Sequence, residues 1–311
     1  MKRETIIAAN DLSIGYKTKK ETIVIAKNLN LELTSGKLIT LVGANGIGKS
    51  TLLRTLTGIQ KPIEGEVLLH EKSLKSYETL ELAQNLSLVL TEKLPPSNLT
   101  VFELIALGRQ PYTNWLGKLS DEDISTVNLV MKLTQIEHLA EKKYFEISDG
   151  QLQKVMIARA LAQETSIIIL DEPTTHLDLF HKVSVFKLLK KLSQETNKCI
   201  LFSTHDIDLA IQLSDEMIVM TEENIVQDQP CNLISKGIFN SLFKDETITF
   251  DREIREIVPL TELVTFQLPE ITCPQSGPTN TGAGLDYVIQ KVNNEVIKGS
   301  ATQKGDWKPL L

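Results

Sequence analysis

The sequence predicts an α/β fold in which short buried strands present functional residues at their carboxyl ends. Three mostly apolar runs carry this prediction: Leu38–Val42, Ile167–Leu170 and Cys199–Phe202. Runs of this length and composition are typical of parallel strands covered on both faces. A glycine-rich loop follows the first run, an acidic pair the second and a Ser-Thr-His segment the third. Because ligands bind at this edge of open α/β sheets, we expect a site there.

The composition predicts a soluble globular protein. The chain has 311 residues, 41% hydrophobic and 23% charged, enough for one large or two ordinary domains. Its net charge of −7 argues against a general nucleic-acid binder. We expect no signal peptide, and no run of about 20 apolar residues predicts a membrane span. Cys199, Cys231 and Cys273 show no C-x-x-C spacing, which favours reduced thiols in a cytosolic compartment.

The loop Gly43–Thr51 has the Walker A pattern G-x-x-x-x-G-K-S and opens a helical segment. Its three glycines allow the backbone to curl so that successive N–H groups point at a phosphate. The helix that starts near Lys49 adds the positive end of its dipole. We expect Lys49 to reach the β- and γ-phosphates and the hydroxyl of Ser50 to ligate Mg²⁺. The alternative is a flexible loop that merely joins a strand to a helix.

Asp171 and Glu172 follow the second strand and fit a Walker B site. A carboxylate at the end of a buried strand near a phosphate loop can hold Mg²⁺ directly or through water. The adjacent Glu172 could then accept a proton from an attacking water. The alternative is an acidic pair that faces solvent at the end of a strand.

Other elements follow from periodicity and from Gly and Pro positions. Further strands are predicted at Ile6–Ala9, Thr22–Ile25, Leu29–Leu33, Ile63–His70, Leu86–Leu90 and Met217–Met220. The apolar period is helical from Thr100 to about Ala140. Helices are also predicted at Leu152–Leu161, with Ser148 or Asp149 as its cap, and at Val183–Leu192.

The chain divides into two predicted domains, residues 1–250 and 251–311. Residues 95 to about 160 form a predicted helical subdomain inserted in the first domain. After about Pro259 the composition shifts to Pro, Gly, Thr and Ser, as in a loop or linker. Tyr287–Ile297 is a final ordered segment that could be strand or helix.

Taken together, the motifs resemble the ATP-binding-cassette (ABC) ATPases over roughly residues 5–245. The resemblance rests on the Walker A loop, the signature segment Ile147–Gln151, the strand Ile167–Glu172, the turn Pro173–Asp178, and His205. The family signature is L-S-G-G-Q, and it lies just before the Walker B strand, as here. The resemblance implies a RecA-like, mostly parallel sheet core, an N-terminal antiparallel β subdomain and an inserted helical subdomain.

The resemblance also implies a head-to-tail dimer with ATP and Mg²⁺ between the subunits. The loop residues expected to contact ATP are Gly43, Asn45, Gly46, Gly48, Lys49, Ser50 and Thr51. Ser148 and the N–H groups of Gly150 and Gln151 would bind the γ-phosphate of the ATP held by the second subunit.

The remaining roles implied by the family belong to four residues. Glu172 would be the base for water, and His205 would contact the γ-phosphate and help to fix that water. Asp178 would lie across the dimer interface. Tyr16, by itself only an aromatic residue at a strand end, would stack on adenine.

The sequence departs from the family pattern in three positions. Asp149 replaces the first signature glycine, and its carboxylate would repel the γ-phosphate unless the side chain turns away. Ile147 replaces the usual leucine. Thr91 stands where the family has a glutamine that touches Mg²⁺ and the water; its hydroxyl could reach the metal through a water.

His176 and His181 are five residues apart, which does not fit one helix face, so we interpret them as surface residues rather than a metal site.

The segment Leu99–Tyr112 resembles one class within the family. Importers for ferric siderophores, haem and vitamin B12 commonly read L-T-V-x-E-L-V-x-x-G-R-x-P-Y/H, and Ser120–Asp123 follows at the family's distance. This resemblance implies an ATPase subunit on the cytoplasmic face of the cell membrane. Its partners would be a second copy of itself, a membrane permease and, beyond the permease, a substrate-binding protein.

Two other functions stay open. A non-transport ABC ATPase usually carries tandem cassettes, long coiled-coil insertions or basic arms, none of which this acidic chain shows. A regulatory module that binds ATP without hydrolysing it has the support of Asp149 and Thr91 only. Lys49, Asp171, Glu172 and His205 oppose it.

Overall fold

The structure of the chain is a computed structural model that describes residues 4–19, 21–90, 97–114, 117–242, 248–251 and 256–259. These residues all fall within one compact unit, Met1–Phe266. Four sequence predictions lie outside the described residues: the role of Thr91, the loop or linker after about Pro259, the segment Tyr287–Ile297 and the state of Cys273.

The described part of the chain contains twelve β-strands and eight α-helices. The strands are β1 (Thr5–Lys17), β2 (Thr22–Thr34), β3 (Leu38–Gly43), β4 (Glu64–Leu69), β5 (Lys72–Ser73), β6 (Leu86–Val89), β7 (Ile167–Leu170), β8 (Cys199–Ser203), β9 (Glu216–Met220), β10 (Ile225–Asp228), β11 (Ile248–Asp251) and β12 (Glu256–Pro259). The helices are α1 (Lys49–Leu56), α2 (Thr79–Asn85), α3 (Val101–Ala106), α4 (Asp121–Thr134), α5 (Asp149–Ala162), α6 (Leu179–Glu195), α7 (Ile207–Leu213) and α8 (Pro230–Ser235).

The larger sheet has six strands in the order β10-β9-β3-β8-β7-β6. All neighbouring pairs are parallel except β9 and β10. Every residue of β7 and β8 is buried, which explains the continuous apolar runs in the sequence. The predicted α/β fold with a mostly parallel core is confirmed.

A second sheet is antiparallel, with the order β2-β1-β4-β5. The sequence predicts two separate strands at Thr22–Ile25 and Leu29–Leu33, but the structure joins them in the single strand β2. Pairing with β1 continues across the gap because irregularities in the register, at Leu12/Ile14 and Ile14/Gly15, absorb the break in alternation.

The core lies between the two sheets and α1. It combines Ile7 and Leu33 of the antiparallel sheet with Ile39 and Ile169 of the parallel sheet, all fully buried, and with Leu52 of α1. On the opposite face of the parallel sheet, Phe186 of α6 packs edge to face on Phe202 of β8, with ring centroids 4.9 Å apart.

The helical region predicted around 95–160 contains α3, a 3₁₀ segment at Leu107–Tyr112, α4 and α5. Capping boxes start α3 at Thr100, α4 at Ser120 and α5 at Ser148. Two predicted helices are longer than their apolar periodicity indicated. α5 begins three residues before Leu152 and α6 four residues before Val183, because the caps Ser148 and Asp178 accept from first-turn N–H groups that precede the predicted apolar pattern.

Residues 250 and 251, between which we divide the chain, both lie in β11, which pairs with β12 in a two-stranded antiparallel sheet. The division into domains stays a prediction. Within the described residues, no helix is both long enough and apolar enough to cross a membrane.

Candidate nucleotide-binding site

The loop after β3 has the shape of a phosphate cradle. Gly48 caps α1 with φ +112°, and Gly46 has φ +76°, both in the left-handed region that favours glycine. A Cβ atom on Gly48 would lie 2.5 Å from Cγ2 of Ile25 on β2, so no other residue fits there. Asn45 and Gly46 are exposed at the tip, and Ser50 is half-buried in the first turn of α1. The loop therefore presents backbone at the N-terminus of a helix.

Lys49 lies inside this loop. Its Nζ donates to the carbonyl oxygens of Gly43, at 2.9 Å, and Ala44, at 3.2 Å. Burial lowers the pKa of Lys49 below its usual value, while the charges of Glu172 and Asp171 act to raise it. The structure thus brings the predicted phosphate-binding lysine into the field of the predicted acidic pair.

Ser203 holds the two acids at the end of β7. Its hydroxyl donates to Oδ1 of Asp171 at 2.7 Å and accepts from the backbone N–H of Glu172 at 2.8 Å. The parallel register that pairs Leu170 with Phe202 sets this contact. Sequence reasoning noted only a polar residue at the end of a buried strand and missed its role. The position of Ser203 directly after the apolar run is the sequence signal that could have indicated this role.

The carboxylate of Glu172 has two side-chain partners. Oε1 lies 2.8 Å from Nε2 of His205, and Oε2 accepts from the hydroxyl of Thr175 at 3.1 Å. Burial acts to raise the pKa of Glu172, but the hydrogen bond and charge of His205, with smaller effects of Thr175 and Lys49, hold it below its usual value. Glu172 is therefore ionised at neutral pH, as a general base must be.

Tyr16 lies beside the loop. Its hydroxyl is 2.7 Å from Oγ1 of Thr51, and the residue is 46% exposed. An aromatic ring next to a phosphate loop and open to solvent can stack on a base. The role of Tyr16 in stacking on adenine stays a prediction.

The described residues include no group of three or more His, Cys, Asp or Glu side chains that could hold a metal ion. Mg²⁺ in phosphate sites needs fewer protein ligands, commonly one or two carboxylates with phosphate oxygens. Asp171, which Ser203 orients, supplies a carboxylate of this kind. Ser50, at the N-terminus of α1, supplies a hydroxyl group. These residues fit a magnesium nucleotide.

The signature segment forms the start of α5. Ser148 accepts from the N–H of Gln151 at 3.3 Å, and its own N–H donates to Oε1 of Gln151 at 3.0 Å. Asp149 is exposed in the first turn, and Gly150 is buried. Ser148, not Asp149, is therefore the cap. Apart from the N–H of Gln151, which the cap engages, the N–H groups of this first turn and the helix dipole can bind an anion.

The turn after the acids ends at Asp178, the cap of α6. Its carboxylate accepts from the N–H of His181 at 2.9 Å and contacts Nδ1 of the same residue at 2.8 Å. A Cβ atom on Gly150 would lie 2.6 Å from Cδ2 of His181. His181 is exposed, which agrees with its interpretation as a surface residue, and its imidazole also packs on the signature segment.

Comparison with known proteins gives a consistent result. A family model described as ABC transporter matches residues 26–175. The chain is 39% identical to an uncharacterized ABC transporter ATP-binding protein of Methanocaldococcus jannaschii, MJ0873, with 76% of this chain and 81% of the relative covered. It is 35% identical to the achromobactin transport ATP-binding protein CbrD of Dickeya dadantii, with 77% and 88% covered. It is 34% identical to the iron(3+)-hydroxamate import ATP-binding protein FhuC of Bacillus subtilis, with 82% and 94% covered.

Solved structures share the fold. The chain matches cbiO1 from Clostridium perfringens, part of the ABC transporter complex cbiONQ, with a TM-score of 0.66 and 30% identity over 75% of this chain and 91% of that one. It also matches the dimeric post-hydrolysis state of the ATP-binding cassette MJ0796, bound to ADP and Pi. That TM-score is 0.62, with 30% identity over 72% of this chain and 99% of that one.

Proposed function

This chain belongs to the ABC transporter ATP-binding family, whose members hydrolyse ATP to drive transport, and on that premise we propose that it energises an importer of iron chelates. The substrate class would be a ferric siderophore, with haem and cobalamin as the related alternatives. Two relatives support the siderophore, since their names specify achromobactin and iron(3+)-hydroxamate.

The helical region supports the same class of importer. Arg109, in the G-R-x-P-Y segment, is buried and donates to Asp123 of α4 at 2.8 Å. Its guanidinium also lies 4.2 Å from the ring centre of Tyr112. These contacts tie the two parts of the importer-like pattern, Leu99–Tyr112 and Ser120–Asp123, into one packed unit.

The arrangement around Glu172 is the observation that best supports ATP hydrolysis. An ionised carboxylate, bonded to His205 and within the field of Lys49, can accept the proton of a water that attacks the γ-phosphate. Lys49 would bind the β- and γ-phosphates as a point charge. Ser50 and Asp171 would hold Mg²⁺, which neutralises charge that develops on the phosphate oxygens. The expected position of Thr91 near the metal stays a prediction.

A second copy of the chain would complete each site. Ser148, Gly150 and Gln151 form an anion site at the start of α5, and the head-to-tail dimer would bring it to the γ-phosphate bound by the partner. The dimeric state of MJ0796 supports this assembly. Asp178 would lie at the interface, and Tyr16 would stack on adenine. The dimer would work on the cytoplasmic face of the membrane beneath a permease, which receives substrate from a binding protein.

Reconstitution with the permease tests this function. Proteoliposomes that contain the permease and this chain are loaded with ATP and offered ferric hydroxamate, haem or cobalamin. We expect ATP-dependent uptake of the ferric chelate, and none with Glu172→Gln. Uptake of haem or cobalamin instead would change the substrate class. A protein that binds ATP but releases no phosphate would be a regulatory module. ATP hydrolysis that the permease does not stimulate and that drives no uptake would indicate a non-transport ATPase.

A further inference from the structure

Gly150 in the signature segment is glycine because of a neighbour, not because of its backbone conformation. It is the second residue of α5 and lies outside the left-handed region, so its backbone would accept any L residue. The space at its side is filled instead. A Cβ atom there would lie 2.6 Å from Cδ2 of His181 and 3.2 Å from Nε2. Contacts this short do not occur, so a side chain at 150 would displace the imidazole.

The imidazole of His181 is held from two further directions. Asp178 accepts from the backbone N–H of His181 at 2.9 Å and contacts Nδ1 at 2.8 Å. The ring of Phe180 meets the imidazole edge to face, with centroids 6.2 Å apart. Because Nδ1 is engaged by the carboxylate, the opposite edge of the ring, Cδ2 and Nε2, is the edge that faces Gly150.

Asp178 is joined to the hydrolytic centre by a short turn. Thr175 donates its hydroxyl to Glu172 at 3.1 Å and its backbone N–H to the carbonyl of Glu172 at 3.2 Å. Leu177 donates to the carbonyl of Thr174 at 3.3 Å. The turn from Glu172 to Asp178 therefore joins, through the covalent chain, the contacts of Thr175 with Glu172 to the contacts of Asp178 with His181, which packs on Gly150.

We propose that His181 is a positioning residue that couples the two ATP sites of the dimer. The proposal rests on the proposed function, in which Glu172 serves the ATP bound by its own subunit and Gly150 serves the ATP bound by the partner. His181 lies between them in one chain. A change in the turn after Glu172 at one site would then shift the signature segment at the other site. In this role His181 acts through Gly150 and Asp178.

A steric rescue tests the contact without ATP. The melting-temperature change caused by Gly150→Ala should be less favourable with His181 present than in a His181→Ala background, because the methyl group displaces the imidazole only in the first case. The higher helix propensity of alanine contributes equally to both comparisons. His138→Ala, at an exposed histidine in another part of the chain, is the matched control background and should leave the effect of Gly150→Ala unchanged. If Gly150→Ala changes the melting temperature equally with and without His181, the contact is absent and the proposal is wrong.

ATP hydrolysis tests the coupling. We expect the Hill coefficient for ATP to fall from near 2 toward 1 in His181→Ala, with a several-fold higher ATP concentration at half-maximal rate. Binding of a fluorescent ATP analogue to the monomer should be unchanged. His181→Asn keeps a donor for Asp178 and His181→Phe keeps the ring, so each should recover part of the cooperativity.

The two proposals fail in different ways. Unchanged cooperativity in His181→Ala overturns the coupling role, even if the steric rescue succeeds. If the wild-type protein releases no phosphate from ATP while the variants still show the steric rescue, the hydrolytic function is wrong, and so is the coupling. His181 is then a structural contact only.

Discussion

In the phosphate-loop half-site (Gly43–Thr51 with Asp171, Glu172 and His205), the functional groups follow three neighbouring strands, β3, β8 and β7. In the signature half-site (Ser148–Gln151 with Asp178 and His181), they occupy the first turns of two helices, α5 and α6. The first half-site depends on sheet register between residues more than a hundred positions apart. The second depends on caps that form within three residues of each other, and on one contact between helices.

The difference separates stability from activity in a testable way. Groups at strand ends are oriented by the sheet and by hydrogen bonds between neighbouring strands, so their substitution affects chemistry through orientation. Groups at exposed helix starts are held by weak local bonds, so their substitution costs little stability but removes a phosphate ligand. Ser148 and Ser203 each have a control serine in this chain that isolates one of these effects.

The largest effect is expected for Glu172→Gln. The amide cannot accept a proton, so turnover should fall by about 10²- to 10⁴-fold, the range typical of general bases. ATP binding should persist, because Lys49 and the loop are intact, and the dimer should remain closed on ATP. Phosphate release and size-exclusion chromatography with ATP measure these two results. Turnover at the wild-type rate would show that Glu172 is not the base.

Ser148→Ala should have the next largest effect. It removes a hydroxyl proposed to bind the partner's γ-phosphate, and a bond to a charged group of this kind corresponds to roughly 10- to 100-fold in rate. Ser120→Ala is the control, since Ser120 caps α4, also 14 residues long, with the same type of capping box. Both variants should lose about 1 kcal/mol of unfolding free energy, but only Ser148→Ala should lose activity. Equal ATPase rates in the two variants would contradict a role in phosphate binding.

Ser203→Ala should reduce turnover by about tenfold, because Asp171 loses an orienting hydrogen bond and the N–H of Glu172 loses its acceptor. Ser193→Ala serves as the control: Ser193 is equally buried, but bonds only the carbonyl of Lys190 in α6. Denaturant unfolding should give similar losses for both. The Mg²⁺ concentration for half-maximal rate should rise for Ser203→Ala alone, and a rise in both would assign the effect to folding.

Asp149→Gly should have the smallest effect. It removes a negative charge near the expected position of the γ-phosphate, so the ATPase rate should stay the same or rise by a few-fold. Unfolding free energy should fall by about 1 kcal/mol, because a helix N-terminus loses its favourable carboxylate and gains a flexible residue. A collapse of activity would give Asp149 a positive role in the site.

The phosphate-loop half-site was largely predictable from the sequence. The glycines of Gly43–Thr51 indicate the conformation of that loop, and the apolar run that ends in Asp171 and Glu172 indicates a buried strand of a parallel sheet. His205 and Asp178 entered through resemblance to a family, because a single histidine or aspartate has no local pattern. Ser203 was not predicted, because its partners depend on which strand lies beside β7.

The sequence by itself determined the strands, the loop and the caps, since these arise from the periodicity and chemistry of neighbouring residues. It also determined that Ser148 or Asp149 starts α5, although not which one. Tertiary structure alone decided that Ser203 orients both acids, that β2 is one strand, and that His181 packs on Gly150. Those contacts join residues that are far apart in the chain. Their geometry follows from sheet register and helix packing, which no local window of sequence contains.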